Sequence, residues 1–123
     1  MYFVYVLRCV DSSLYCGYTT DVSHRIKAHC GKVKGGAKYT KLRPPVRVEA
    51  VWSCSEKGTA LALEKLFKNL DKQGKERLVS NGASLPDLFG DKLDCDLIVR
   101  DTSLEGDIEE AADGNMESVA RLP

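Results

Sequence analysis

Residues 5–19, "YVLRCVDSSLYCGYT", decide the fold. Two short apolar runs meet at a polar turn, and each run carries a tyrosine, Tyr5 and Tyr15. Residues 2–9, "YFVYVLRC", are β-branched and aromatic enough for a strand. "VDSS" supplies turn chemistry, and residues 14–19, "LYCGYT", make a second strand, so the two form a hairpin. Side chains alternate along a strand, and residues directly opposite each other share a face. Tyr5 and Tyr15 are an even number of residues apart, so they share a face if the loop holds an odd number. "DSS", residues 11–13, is a loop of that kind. The competing reading is two ordinary strand aromatics packed on a helix. Gly17 suits a place where backbone or substrate must approach closely.

Downstream, Thr20 or Asp21 caps a helix through about Cys30, with Val22, Ile26 and Cys30 as an apolar stripe. Arg25 and His29 project from another side of that helix, so neither is needed for the core. A glycine- and lysine-rich loop, "GKVKGGAKYTKLRPP", follows to Pro45, and its two prolines predict no helix there. Residues 46–53, "VRVEAVWS", alternate like a strand with one wet face. Residues 59–70, "TALALEKLFKNL", give the strongest helix, with Leu63, Leu66, Phe67 and Leu70 on one face. Residues 72–81 form a further short helix stopping at Gly82, and "SLPDLF" one more turn. Beyond Gly90, "DCDLIVRD" reads as an edge strand, and residues 101–123 as an acidic, largely disordered segment. The order β-β-α-β-α-α predicts an α/β (α+β) fold: a small three-stranded antiparallel sheet flanked by helices. It occupies residues 1–90, with residues 91–123 as an acidic C-terminal tail.

With 123 residues, 43% hydrophobic and 29% charged, the chain has the size and composition of one soluble globular domain. No apolar run approaches the roughly 20 residues that span a bilayer, and no secretory signal opens the chain. Five scattered cysteines without a CxxC pair argue against a disulfide framework and a structural zinc site, and fit a reducing cytoplasm. The net charge of zero conceals an asymmetry. Met1 to Arg77 carries 15 Lys and Arg against 7 Asp and Glu, whereas Leu78 to Pro123 carries 3 against 11. A basic body followed by an acidic tail predicts a polyanion partner, nucleic acid foremost.

The separate signals align with a known family. Phe3-Val4-Tyr5 and Tyr15-Cys16-Gly17 stand where a GIY-YIG nuclease domain carries the two motifs of its name. Arg25 follows Tyr15 by ten residues, His29 takes the next helical turn, and Glu64 lies on a later helix. Over about residues 1–82 the sequence resembles that family. "YCGYTTDVSHRIKAH" followed by "GGAKYTK" looks most like its small standalone bacterial members. The likeness to the GIY-YIG subunit of eukaryotic structure-specific endonucleases is weaker.

The resemblance implies a metal-dependent nuclease that hydrolyses phosphodiester bonds of nucleic acid, DNA foremost, in repair or nucleic-acid processing. Glu64 would hold Mg²⁺ or Mn²⁺, Arg25 would neutralise charge on the phosphate, and Tyr5 would deprotonate the attacking water, oriented by Tyr15. A free tyrosine is only ~0.1% phenolate at pH 7, so nearby cations would have to lower its pKa; His29 is the second candidate base. Two positions depart from the pattern: Phe3 replaces the first glycine, and Tyr18 stands where repair-type members often carry lysine.

Lys32, Lys34, Lys38, Lys41, Arg43 and Arg47 would grip phosphates, Gly17 would admit the substrate, and Tyr39 would stack on an unpaired base. Structure or single-strandedness, not sequence, would be selected. The alternative is a non-catalytic nucleic-acid-binding module, or an adaptor whose acidic tail docks a protein partner.

Overall fold

A three-residue turn sets the sheet. In the computed structural model, which describes residues 1–108, β1 (Tyr2–Cys9) and β2 (Leu14–Thr19) pair antiparallel, Tyr5 opposite Gly17 and Leu7 opposite Tyr15. The Cys9 amide donates to the Ser13 carbonyl at 2.9 Å, enclosing Val10, Asp11 and Ser12. Ser12 takes the left-handed conformation (φ 70°) that closes such loops. The loop sits one residue earlier than the sequence suggested but remains odd, so Tyr5 and Tyr15 do share a face.

Helix α1 (Val22–His29) is capped by Asp21, whose carboxylate accepts the His24 amide at 3.0 Å. A short helix, α2 (Lys38–Leu42), then occurs inside the stretch expected to be loop. Pro44 and Pro45 end this helix and do not forbid it: each bars helical geometry from the residue before it, and Arg43 is already non-helical. Strand β3 (Pro45–Cys54) pairs antiparallel with the other edge of β1. Helices α3 (Lys57–Lys68), α4 (Lys72–Val79) and α5 (Leu85–Phe89) follow, the last opened by a Ser84–Asp87 capping box.

The fold is therefore α/β with an antiparallel sheet between helices, but the sheet has five strands, not three. Its order is β2-β1-β3-β4, with β4 at Ile98–Arg100, and β5 (Gly106–Asp107) also pairs with β3. Strand β4 falls in the stretch read as an edge strand. Strand β5 falls in the acidic stretch read as disordered, and the remainder of that stretch, 109–123, lies outside the described residues. Acidic composition hid its attachments: Glu105 accepts the Val51 amide and pairs with Arg100, while Ile108 is buried against the sheet.

Alternation along the central strand sorts the core into two layers. Val4 and Val6, with Cys16, Ala50 and Trp52, meet Ala60, Leu63 and Phe67 of α3. Tyr5 and Leu7, with Val48 and Val51, meet Val22 and Ile26 of α1 on the opposite face. Residues 4–7 have no exposed surface at all, which is why the strand reads as a continuous apolar run. Arg8 ties α4 to the sheet, bonding both Glu76 oxygens at 2.6 Å and Glu49 at 2.8 Å.

Arg100 does comparable work at the C-terminal side. Its guanidinium donates to the Val79 carbonyl at the end of α4, to the Glu49 carbonyl and to Glu105, and lies 5.1 Å from the Trp52 ring centre. Arg100→Ala strips these acceptors of their donor and leaves Glu105 half-buried without its cation. Urea denaturation should show a loss of about 2–4 kcal/mol.

Candidate active site

Tyr5 is the centre of the site, and Gly17 is what lets it lie there. A Cβ at Gly17 would stand 2.5 Å from the Tyr5 hydroxyl and 2.8 Å from Cζ, so a methyl there would displace the ring. The close approach that Gly17 permits in this structure is that of the Tyr5 ring, and Gly17 itself is buried.

Three side chains converge on the ring. Arg25 and His29, one turn apart on α1, place Nε 3.2 Å and Nε2 2.7 Å from the Tyr5 oxygen. On its far side, His29 Nδ1 lies 2.8 Å from the Thr40 hydroxyl of α2, which donates to the Ala37 carbonyl at 3.0 Å. Tyr15 completes the cluster, its ring centre 5.0 Å from His29 and 6.5 Å from Tyr5. Arg25 Nη1 donates to the Gly35 carbonyl, which latches the 31–36 loop over the group.

His29 is thus not on an open helix face, as its position opposite the apolar stripe suggested. It is 3% exposed, covered by α2 and by the loop. Gly36 allows the loop to press on the end of α1, since a Cβ there would lie 2.4 Å from the Ala28 carbonyl oxygen. Burial, with the Arg25 charge beside it, depresses His29 to a pKa of about 4, so it is neutral at pH 7. Burial likewise pushes the Tyr5 phenol up, and the Arg25 bond and charge do not offset it. The lowered phenol pKa that a free phenolate base would require is the reverse of what this environment does.

The expected grip residues divide. Lys32, Lys34 and Lys41 line a cavity of about 730 Å³ beneath the 31–36 loop, whose inner wall is His29 and Thr40. Lys38 is exposed beside them. Arg47 is engaged by Glu49 at 3.0 Å and Asp107 at 2.6 Å, and Arg43 by Asp11 at 3.2 Å. The Tyr39 ring expected to stack on a base already carries the Arg43 guanidinium 4.4 Å from its centre, and its hydroxyl donates to Ser13 at 2.5 Å. Two lysines were missed. Lys72 and Lys75 of α4 line a second cleft of about 310 Å³ with Ser13, Leu14 and Tyr39; their i, i+3 spacing in "KQGK" was the available signal.

Glu64 comes from α3, which packs on the other face of the sheet; its side chain is 18% exposed and its carboxylate lies 3.1 Å from Lys68. Its charge acts on Cys16, whose thiol is pushed up to about 12, chiefly by burial. Cys16 sits between Tyr15 and Gly17 on β2, so that edge strand is the strip separating the two halves of the site. Among the described residues no group of three or more His, Cys, Asp or Glu side chains could hold a metal ion. A lone carboxylate paired with a displaceable ammonium still fits Mg²⁺, which keeps several waters and takes one or two carboxylates plus phosphate oxygens.

A strand-turn-strand bearing two phenols, an arginine–histidine helix packed on them and a carboxylate on a later helix define a class. The family described as "GIY-YIG catalytic domain" matches residues 1–77, more than half of the chain, and the protein belongs to it. It is 49% identical over 80 residues to the UPF0213 protein BH0048 of Halalkalibacterium halodurans, covering 64% of this chain and 82% of the relative. It is 46% identical over 76 residues to the UPF0213 protein YazA of Bacillus subtilis, covering 61% and 74%. The solution NMR structure of the UPF0213 protein BH0048 from Bacillus halodurans superposes with a TM-score of 0.45 at 43% identity, covering 73% of this chain and 95% of that one. No helix among the described residues is long and apolar enough to cross a membrane.

His29 also makes stability depend on pH. Its pKa of about 4 in the fold lies below the ordinary value of 6.5, so the unfolded chain binds the extra proton first on acidification. The stabilisation is complete above pH 6.5 and lost as pH falls toward 4, by roughly 3 kcal/mol in total. Chemical denaturation of wild type and His29→Gln should show this extra acid sensitivity in wild type alone.

Proposed function

We propose that this GIY-YIG nuclease-type domain is an active, divalent-metal-dependent phosphodiesterase acting on nucleic acid, with DNA the principal substrate. The observation that carries the reading is the contact of Tyr5 with both a neutral imidazole and a guanidinium. In the resting protein the phenol oxygen is sealed, and Arg25 is bonded to Gly35. A substrate phosphate competes for Arg25, drawing the guanidinium to a non-bridging oxygen and opening a place for water beside Tyr5.

The attacking water then gives a proton to the Tyr5 oxygen while Tyr5 passes its own proton to His29 Nε2. The water oxygen bonds to phosphorus, the bond from phosphorus to the 3′ oxygen breaks, and the departing alkoxide takes its proton from solvent. Tyr5 ends the step neutral, as it began, and His29 ends it as the imidazolium, which later returns its own proton to solvent. No phenolate accumulates, so the raised phenol pKa is no obstacle. A metal at Glu64 would supply Lewis-acid stabilisation of the leaving oxygen. Because His29 stays neutral down to about pH 4, the acid limb of the pH–rate profile should fall well below 6.5.

The second reading, a nucleic-acid-binding module or partner-dependent adaptor, draws on the same seal: a phenol with no exposed surface does no chemistry until something opens the site. The two separate on labelled single-stranded, duplex and branched DNA with Mg²⁺ or Mn²⁺. Cleavage abolished by chelator and by Glu64→Ala, and lowered about 10²-fold or more by Tyr5→Phe, supports the enzyme. Binding without cleavage supports the module. A cytosolic setting suits five scattered cysteines without a CxxC pair.

Binding should also report the lysines. With about five phosphate contacts, affinity falls as roughly the 3.5 to 4.5 power of salt concentration, depending on strandedness. Replacing Lys72 and Lys75 together by alanine should lower that exponent by about 1.5. An unchanged slope would remove the α4 cleft from the binding surface.

A further inference from the structure

We propose that Thr40 is a positioning residue: its hydroxyl fixes His29 as the Nδ1–H tautomer and so makes Nε2 the acceptor for the Tyr5 hydroxyl. Each group along one buried chain of hydrogen bonds has a fixed number of protons to give. Thr40 is 1% exposed, and a hydroxyl has a single proton to donate. That proton goes to the Ala37 carbonyl, three residues back at the start of α2, at 3.0 Å. What Thr40 then offers His29 Nδ1, 2.8 Å away, is a lone pair, so Nδ1 must carry hydrogen. With neutral imidazole, Nε2 is left with a lone pair of its own, and Tyr5, 2.7 Å away, must be its donor. The Tyr5 oxygen in turn accepts Nε–H from Arg25, which can only donate.

The reverse chain fails. If Thr40 donated to Nδ1, then Nε2–H would donate to Tyr5, and the phenol proton would need another acceptor. Arg25 offers none, and Tyr5 has no exposed surface from which to reach water. A buried hydroxyl proton without an acceptor is what folded proteins avoid. Only one direction satisfies every group, and Thr40 is where it is set.

The prolines acquire a role here. Pro44 and Pro45 stop α2 after Leu42, and the five-residue helix holds Thr40 on its buried side, against His29. The hydroxyl is required for this and the methyl is not. The consequence for catalysis rests on the proton route proposed above, whereas the tautomer does not depend on it.

The test is a two-bond ¹H–¹⁵N correlation spectrum of the full chain at pH 7, in wild type, Thr40→Ser and Thr40→Val. The expected wild-type result is a protonated Nδ1 and an unprotonated Nε2 on His29, unchanged in Thr40→Ser. In Thr40→Val, which keeps the shape and loses the hydroxyl, the pattern should become mixed or reversed. Cleavage assays should then show kcat roughly ten- to a hundredfold lower in Thr40→Val, with KM little changed and Thr40→Ser near wild type. A protonated Nε2 in wild type overturns the proposal, even if Thr40→Val fails to fold. So does an Nδ1–H tautomer that persists in a folded Thr40→Val. If no variant cleaves nucleic acid, the proton route falls, and the spectra still decide what Thr40 does.

Discussion

Everything distinctive in this protein follows from one steric fact: the Tyr5 ring lies across Gly17 on the neighbouring strand. A side chain at residue 17 would meet the ring within van der Waals distance, so the phenol would be turned away. With the glycine there, a large aromatic becomes wholly buried at the middle of the sheet and still leaves its oxygen pointing at α1. That oxygen is a polar group deep in an apolar layer, and it must be satisfied. Arg25 and His29 meet that need. The site is therefore a solution to a burial problem before it is a device for chemistry, and its tightness comes from the core.

The hairpin was legible because its signals are local. Alternation, an odd turn and a glycine opposite an aromatic all lie within residues 5–19, and the shared face of Tyr5 and Tyr15 follows from parity. The helix carrying Arg25 was legible from its cap and stripe. What escaped the sequence was contact between distant segments. His29 looked solvent-facing because the stripe of α1 counts only what α1 packs upon, and α2 covers it from elsewhere. Strand β5 escaped because two acidic residues mask it: Glu105 spends its charge on Arg100 and Asp107 on Arg47. Glu64 was readable as a helix carboxylate, but not its placement on the far face of the sheet, because periodicity does not reveal which face a helix will take.

The charge asymmetry of the chain needs the same correction. A count of cations in residues 31–47 treats them alike, yet the structure divides arginine from lysine. Arg43 and Arg47 are occupied by carboxylates of the turn and of β5, and Arg43 also covers Tyr39. The lysines of the loop and of α4 are the ones that line clefts. This is the division expected from their chemistry: the planar guanidinium suits fixed, directional contacts, while the ammonium remains a hydrated point charge. On the proposed function, such lysines would grip a backbone of phosphates without reading bases.

The raised phenol pKa counts against Tyr5 as a free base. It counts only against a mechanism in which the phenolate exists as a separate species. A hydroxyl bonded to a neutral imidazole can take one proton and surrender another in the same event, and its own acidity then matters less than the basicity of the group behind it. That group has been weakened by burial too, to a pKa of about 4, which keeps it unprotonated and available throughout the neutral range. The environment thus trades basic strength for readiness. In the proton route proposed above, the missing driving force would come from the phosphate side, where Arg25 and a metal at Glu64 would meet the charge moving from the attacking water onto the leaving oxygen. Acid–base groups this weak are consistent with a site whose chemistry is carried mainly by electrostatic stabilisation of the transferred charge.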